Sequence, residues 1–336
     1  MSAVQNLQSG VQKLQVSPND STRVSVDSKV KLIRDSERRY LLEGYRTLLP
    51  IDDRIEPHLR AVLDDALSHA GSLIRAQLVF GTLHGAGAPR SLAREIAVAI
   101  EYFHTASLIF DDMPSMDDAT ERRGHACPHV IWGEAAATLG ALALVNQAYA
   151  LLWSGLATLT PPARRRAAAL VRDSLGVSGI LNGQSLDLHF GRNTLERDVL
   201  EVAEGKTVTL IRLTLLLPSI IAGDSPRTRG RLTRLAQAWG LAYQIVDDFK
   251  DCLLTRDEAG KSTERDEVLS RPNLPRRTGL AAAMSRLDQL LFAGRTEVAA
   301  LMKSDERRWR PVGMLQEILE KERAAIARRV ALRVCA

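Results

Sequence analysis

The sequence predicts an all-α protein, and three observations carry that prediction. Apolar residues recur at a 3.6-residue period over long segments, short Gly and Pro clusters punctuate those segments, and alternating β-branched runs are few. With 336 residues, 45% of them hydrophobic and 25% charged, the chain is long enough for one large helical domain or two smaller ones, and wholesale disorder is excluded. We divide it into a flexible N-terminal tail, residues 1–28, and one all-α domain over residues 29–336. The tail is rich in Ser, Gln, Val and Asn and lacks the apolar core of a secretory signal.

The elements follow in order. Gly85-Ala86-Gly87-Ala88-Pro89 breaks the chain, and a helix is predicted from about Ser91 with Leu92, Ile96, Ala99, Ile100, Phe103 and Ser107 on one stripe. Its C-terminal end delivers Asp111 and Asp112. Ala135 to Ala163 carries no charge and exceeds the ~20 residues of a bilayer crossing. Its Ala-rich composition, Asn146, Gln147 and the closing Thr160-Pro161-Pro162 favour a buried core helix over a transmembrane one. A further helix starts after Gly223-Asp224-Ser225-Pro226, carries Leu232, Leu235, Trp239, Ala242, Val246 and Phe249 on one stripe, and ends near Asp251. Thr255 to Thr278, charged and holding Gly260, Pro272 and Pro275, reads as a loop or lid. Glu306 to Arg333 reads as a basic amphipathic helix on the solvated outside.

Charge narrows the partners. The 45 Lys and Arg against 40 Asp and Glu leave +5, spread along the chain without a basic tract, which speaks against nucleic acid and keeps a small polyanion open. Cys127, Cys252 and Cys335 show neither CxxC spacing nor an even count, so no zinc ribbon or disulfide framework is expected, and a reducing cytoplasm fits.

Two acidic helix ends carry the chemistry. In Asp247-Asp248-Phe249-Lys250-Asp251 the outer carboxylates are one turn apart on one face, with Gln244 a turn earlier. Hard oxygen donors without His or Cys select Mg²⁺ or Mn²⁺, although this motif by itself leaves an exposed acidic patch open. In Asp111-Asp112-Met113-Pro114-Ser115-Met116-Asp117-Asp118, Pro114 favours a kink or bulge that returns Asp117 to the face of Asp111. Arg122-Arg123-Gly124 follows, two cations suited to bidentate phosphate contacts. Lys206-Thr207 and Lys261 add to the same picture. Gly205-Lys206-Thr207 is not a P-loop, because position 200 is Leu200 and no strand precedes it.

Together these residues resemble the trans-isoprenyl diphosphate synthases, of the short-chain type that makes farnesyl or geranylgeranyl diphosphate, from about Leu41 onward. Asp111, Asp112 and Asp117 with Arg122-Arg123-Gly124 match the family's first motif in its longer form, and Gln244, Asp247, Asp248 and Asp251 match its second. Gly183-Gln184-Ser185-Leu186-Asp187, Lys206-Thr207 and Lys261 match three further signatures. The resemblance implies an isoprenoid synthase fold, with about ten core helices around a deep central cavity, usually in a homodimer. It implies six metal-binding aspartates, Asp111, Asp112, Asp117, Asp247, Asp248 and Asp251, holding three Mg²⁺ ions, with Mn²⁺ as the alternative. The implied reaction is ionisation of an allylic diphosphate, attack by isopentenyl diphosphate and loss of a proton, with Asp111, Asp117, Lys206 and Asp247 carrying catalysis. Arg122, Arg123, Lys206, Thr207, Gln244 and Lys261 are implied in substrate binding.

For isopentenyl diphosphate the resemblance implies Arg75, His104 and Arg123, but Ser72 stands where the family has a lysine and Ala76 where it has a proline. Ala141, His125-Ala126-Cys127-Pro128 and Ser270-Arg271-Pro272-Asn273 are further departures. Chain length is implied to depend on Ala106 and Ser107. Ala106, small where bacterial farnesyl synthases tend to carry an aromatic ring, points to a C20 product. Two rival readings remain: a synthase-like enzyme that ionises a prenyl diphosphate without using isopentenyl diphosphate, motivated by Ser72, and a non-catalytic subunit, disfavoured because all the aspartates are kept.

Overall fold

The computed structural model of the chain describes residues 30–190, 196–253 and 272–334; the N-terminal tail lies outside the described residues. Among those residues stand fourteen α-helical segments, one two-stranded hairpin and one π-turn. The chain runs through α1 (Asp35–Thr47), α2 (Pro57–Ser68), α3 (Ile74–Gly85) and α4 (Arg90–Asp111). The hairpin of β1 (Glu121–Arg122) and β2 (His125–Ala126) follows, then α5 (Pro128–Trp132), α6 (Glu134–Leu156), α7 (Pro161–Leu175) and α8 (Ile180–Leu188). Next, α9 (Glu196–Ala203), the π-turn (Glu204–Val208) and α10 (Thr209–Ile221) form one continuous rod. The chain closes with α11 (Pro226–Leu253), α12 (Leu274–Thr278), α13 (Leu280–Ser304) and α14 (Glu306–Val334).

Helix α4 is the axis. It starts after Pro89, whose fixed φ suits a helix entrance, and buries Ile96, Ala97, Ile100 and Tyr102 against α1, α3 and α6. Tyr102 donates to the Tyr45 carbonyl at 2.7 Å, fixing α1 on α4. Helix α11 forms the second wall and packs on α10, α13 and α14, where Trp239 Nε1 donates to Gln316 Oε1 at 2.7 Å. Ahead of α1, Leu32 is buried and its N–H donates to Gln77 Oε1.

Three expectations change. The uncharged stretch Ala135 to Ala163 is two helices, since α6 ends at Leu156 and Pro161 starts α7. One face of α6 is core, with Ala137, Ala141, Leu144, Ala148 and Leu152, while Leu139, Leu142, Tyr149 and Trp153 are exposed on the other. It is long and apolar enough to span a bilayer, yet only half of it is buried by this chain. Within the predicted loop, residues 254–271 lie outside the described residues, whereas 274–278 form α12 with Leu274 in the core. The final helix is no solvated appendage: α14 buries Trp309, Val312, Leu319 and Ile326, and Arg308 makes a two-pronged ion pair with Asp224 at 2.6 Å. Its basic residues had masked an apolar stripe that completes the core.

Candidate active site

The first motif is built by ending a helix, not by kinking one. α4 stops at Asp111, and the next residues fold back: Asp117 N–H donates to the Asp111 carbonyl at 2.9 Å and Ala119 N–H to that of Asp112 at 3.1 Å. Asp118 takes φ 47° to close this turn. Asp117 thus returns beside Asp111, as Pro114 led us to expect, by a different route. Asp112 is 2% exposed, and Arg122 grips both its oxygens, Nε to Oδ2 at 2.7 Å and Nη2 to Oδ1 at 2.6 Å.

That grip depends on the hairpin. Arg123 and Gly124 form its two-residue turn with φ 55° and 80°, the left-handed pair a type I′ turn requires. The Arg123 guanidinium then lies against Gly71: a Cβ there would come within 2.3 Å of Arg123 Nη1, and Gly71 has φ 61°.

The π-turn joins the two motifs. Lys206 Nζ sits 2.8 Å from Asp187 Oδ2 and 3.9 Å from Asp111 Oδ2. The adjacent Thr207 donates its hydroxyl to Gln244 Oε1 at 2.8 Å, and Gln244 Nε2 donates to Asp248 Oδ1 at 2.9 Å. Such π-insertions expose side chains that a regular helix would turn away. Gly183 of α8 and Gly205 make backbone contact, which lets Asp187 reach Lys206. Burial raises the Asp111 carboxyl to about 6, Lys206 pulling it down and Asp117 pushing it up. Against desolvation, the carboxylates of Asp111, Asp187 and Asp117 raise the Lys206 ammonium above its ordinary value, so it stays charged.

Asp248 is as occupied as Asp112. It is 2% exposed, and besides Gln244 its Oδ2 accepts the Leu274 N–H at 2.8 Å while its carbonyl accepts Asn273 Nδ2 at 3.0 Å. The middle aspartate of each motif is therefore tied into the protein, one by an arginine and one by amides. Asp247 and Asp251 share a face of α11 one turn apart, and Lys261 lies outside the described residues.

The donor set fits a hard divalent cation. All candidate ligands are carboxylate oxygens, and the Asp111–Asp117 repulsion, which adds to burial in lifting the Asp111 carboxyl, is what a cation between them relieves. Among the described residues, no three His, Cys, Asp or Glu side chains stand as a finished metal cage. The pairs fit an ion completed by water and substrate oxygens.

The second anion-binding corner surrounds Arg75. Its buried Nε donates to no acceptor among the described residues, as a donor kept for a bound anion would. Desolvation, with Arg75, Arg123 and Arg122, holds His104 well below its ordinary value, so it is neutral at neutral pH. Glu101, 4% exposed, accepts the Ala76 N–H at 3.0 Å, and its carboxyl is raised by burial against the opposing pull of Arg75 and Arg123. Sequence reasoning missed it. The signal was a lone carboxylate in an apolar stretch of α4, one turn before His104. Ser72 is 6% exposed, and its carbonyl accepts Gln77 Nε2 at 2.7 Å. Ala106 is buried, Ser107 donates its hydroxyl to the His104 carbonyl at 2.9 Å, and Phe103 meets Tyr149 of α6 edge to face at 4.9 Å.

Comparison with known proteins agrees with this geometry. The family described as polyprenyl synthetase matches residues 56–303. A geranylgeranyl diphosphate synthase of Pantoea ananas is 34% identical over 251 residues, 71% of this chain and 82% of that one. The chloroplastic geranylgeranyl pyrophosphate synthase 7 of Arabidopsis thaliana is 33% identical over 226 residues, 66% of this chain and 65% of that one. In fold, the geranyltransferase of Helicobacter pylori, complexed with magnesium and isoprenyl diphosphate, superposes with a TM-score of 0.75 at 24% identity, covering 85% of this chain and 96% of that one.

Proposed function

The chain belongs to the polyprenyl synthetase family, and from that premise we propose that it condenses isopentenyl diphosphate head to tail with an allylic diphosphate, giving geranylgeranyl diphosphate. The observation that carries the reading is the π-turn, where consecutive side chains reach the two aspartate motifs: Lys206 pairs with Asp111 and Asp187, and Thr207 with Gln244. A diphosphate seated between the motifs meets an ammonium already fixed in place. Preorganised charge of this kind stabilises a leaving diphosphate without reorganisation at the moment of bond breaking.

We assign the outer aspartates, Asp111, Asp117, Asp247 and Asp251, to Mg²⁺, with Asp112 and Asp248 beside them held by Arg122 and the Leu274 amide. Three bound Mg²⁺ ions would neutralise the departing diphosphate as Lewis acids. Arg75 and Arg123 hold the second substrate, and Glu101 holds those arginines apart from one another's charge. The neutral His104 offers a ring N–H to the same diphosphate. Apolar side chains of α4 and α6 keep water from the allylic cation.

Support for the C20 product comes from the names of the two sequence relatives and from Ala106, a small side chain on α4 five residues before Asp111. The exposed face of α6, Leu139, Leu142, Tyr149 and Trp153 at helical spacing, supports a homodimer that covers it. The cytoplasm remains the compartment we propose. Ser72 favours the second reading, an enzyme that ionises a prenyl diphosphate alone.

The test is mass spectrometry of products from protein, Mg²⁺ and farnesyl diphosphate, with and without isopentenyl diphosphate. Geranylgeranyl diphosphate formed only with both substrates is the expected result, and Asp111→Ala should abolish it without loss of helical signal. A hydrocarbon or alcohol from farnesyl diphosphate alone refutes elongation.

A further inference from the structure

One short loop meets both arginines of the isopentenyl diphosphate corner. Ala70 to Leu73 lead into α3, whose first turn carries Arg75, and the Arg123 guanidinium lies on Gly71. Ser72 stands between two residues of left-handed backbone, Gly71 at φ 61° and Leu73 at φ 53°. A leucine holds that conformation only under constraint from its surroundings. Leu73 is also the N-cap of α3 and has no side-chain acceptor, so the loop must be held from outside.

Two buried side chains hold it. Glu101 reaches across from α4 and accepts the Ala76 N–H at 3.0 Å, a first-turn donor of α3. Gln77 is 0% exposed and donates Nε2 to the Ser72 carbonyl at 2.7 Å. The same Nε2 donates to the Val30 carbonyl at 3.2 Å, and Oε1 accepts the Leu32 N–H at 2.8 Å. Two carbonyls and one N–H admit only this orientation of the amide. Gln77 thus binds residues 30 and 32 as a neighbouring strand would, and its other hydrogen fixes the loop. The segment it uses is itself anchored, because Leu32 is buried and Ile33 packs on Gly81 of α3.

We propose that Gln77 is a positioning residue for isopentenyl diphosphate: by tying the Ser72 carbonyl to the segment 30–32, it sets the loop that places Arg75 and Arg123. The proposal rests on the elongation reading above. Ser72 is buried and brings no ammonium, so this corner depends on having its two guanidinium groups in place before the substrate arrives. Groups fixed in advance lose less freedom on binding. Lys206 and the metal-binding motifs are held by α8, α11 and Arg122 instead, so the effect falls on one substrate.

The experiment is steady-state kinetics on the full chain with Mg²⁺, varying isopentenyl diphosphate at saturating farnesyl diphosphate and then the reverse, with the thermal midpoint of each variant. Gln77→Met keeps the volume and removes all three bonds. Gln77→Asn, one methylene shorter, cannot span the loop and the segment together, and it decides the matter if Gln77→Met does not fold. Gln316→Met is the matched control, since Gln316 is likewise buried and its partners are Trp239, Leu291 and Glu320. Both Gln77 variants should raise KM for isopentenyl diphosphate about tenfold and leave kcat and KM for farnesyl diphosphate within about twofold. Gln316→Met should lower the midpoint comparably and leave both KM values within about twofold. A lowered midpoint with unmoved KM in the Gln77 variants overturns the positioning role while elongation stands. So does an equal rise in KM for both substrates, or a rise in Gln316→Met that matches Gln77→Met. A wild-type protein that consumes farnesyl diphosphate without isopentenyl diphosphate overturns elongation itself, and the positioning role with it.

Discussion

Replacing Gly183 with Ala tests whether the backbone contact between α8 and the π-turn sets the position of Lys206. The new Cβ would lie 2.2 Å from the Gly205 carbonyl carbon and 2.3 Å from the Lys206 nitrogen, all backbone, so no side chain can swing aside. Ordinary contact begins near 3.4 Å, and the two elements must part by about 1 Å. The Lys206–Asp187 pair, now 2.8 Å, opens by a similar amount. Overpacking of this kind costs about 1–3 kcal/mol of stability, and an error of about 1 Å in a catalytic group lowers kcat by about a hundredfold. Gly230→Ala in α11 is the control. Its nearest neighbour would be Arg234 Nη1 at 3.8 Å, so the helix should gain about 0.5–1 kcal/mol. Thermal denaturation by circular dichroism and product formation from both substrates read the two effects. Gly183→Ala with a lowered midpoint but wild-type kcat would show that the contact supports the fold without placing Lys206.

Other consequences are open to measurement. Phe103 lies one turn earlier in α4 than Ser107, in a direction between those of Ala106 and Ser107; on the proposed elongation, Phe103→Ala should lengthen the product and Ala106→Tyr shorten it, as read by mass spectrometry. An unchanged distribution in both would move the control of chain length to another helix. Because burial holds His104 below its ordinary value of 6.5, the unfolded chain takes up a proton there that the folded chain refuses. The stability from neutral His104 is therefore present above pH ~6.5 and lost as pH falls. His104→Gln should flatten the dependence of the thermal midpoint on pH below that value. Arg308→Ala strands the buried Asp224 carboxylate and should cost about 3–5 kcal/mol with little change in KM, measured by urea unfolding and kinetics.

What was legible in the chain was what local pattern encodes. The stripe from Leu92 to Ser107 and the carboxylates behind it gave α4 and its acidic end, and the interval after Gly223 gave α11 with Asp247. Pro114 announced a return of Asp117, although whether a helix kinks or stops there depends on amides finding carbonyls several residues back. Partnerships across the fold were not legible. Nothing near Asp112 says that Arg122 will take both its oxygens, and nothing near Asp248 says that the Leu274 amide returns to it. Glu101 was missed for the same reason: a single acid on an apolar helix gains meaning only when Arg75 and Arg123 arrive from other elements. The basic residues of α14 hid an apolar stripe because net charge is a property of the whole helix, whereas burial belongs to one face.

The ion pairs also explain how so many carboxylates and cations converge without disrupting the fold. An isolated charge loses several kcal/mol on leaving water, and like charges together lose more. Here each cation placed near the substrates has an acid of its own: Arg122 has Asp112, Lys206 has Asp187, and Arg75 and Arg123 share Glu101. Lys206 also lies 3.9 Å from Asp111, one of the aspartates assigned to Mg²⁺, so the acids that orient the cations and those assigned to the metal form one charge network. A site arranged in this way binds its substrate by adding anionic oxygens to cations already in position, and the repulsion left over, between Asp111 and Asp117, is the part that a metal ion relieves.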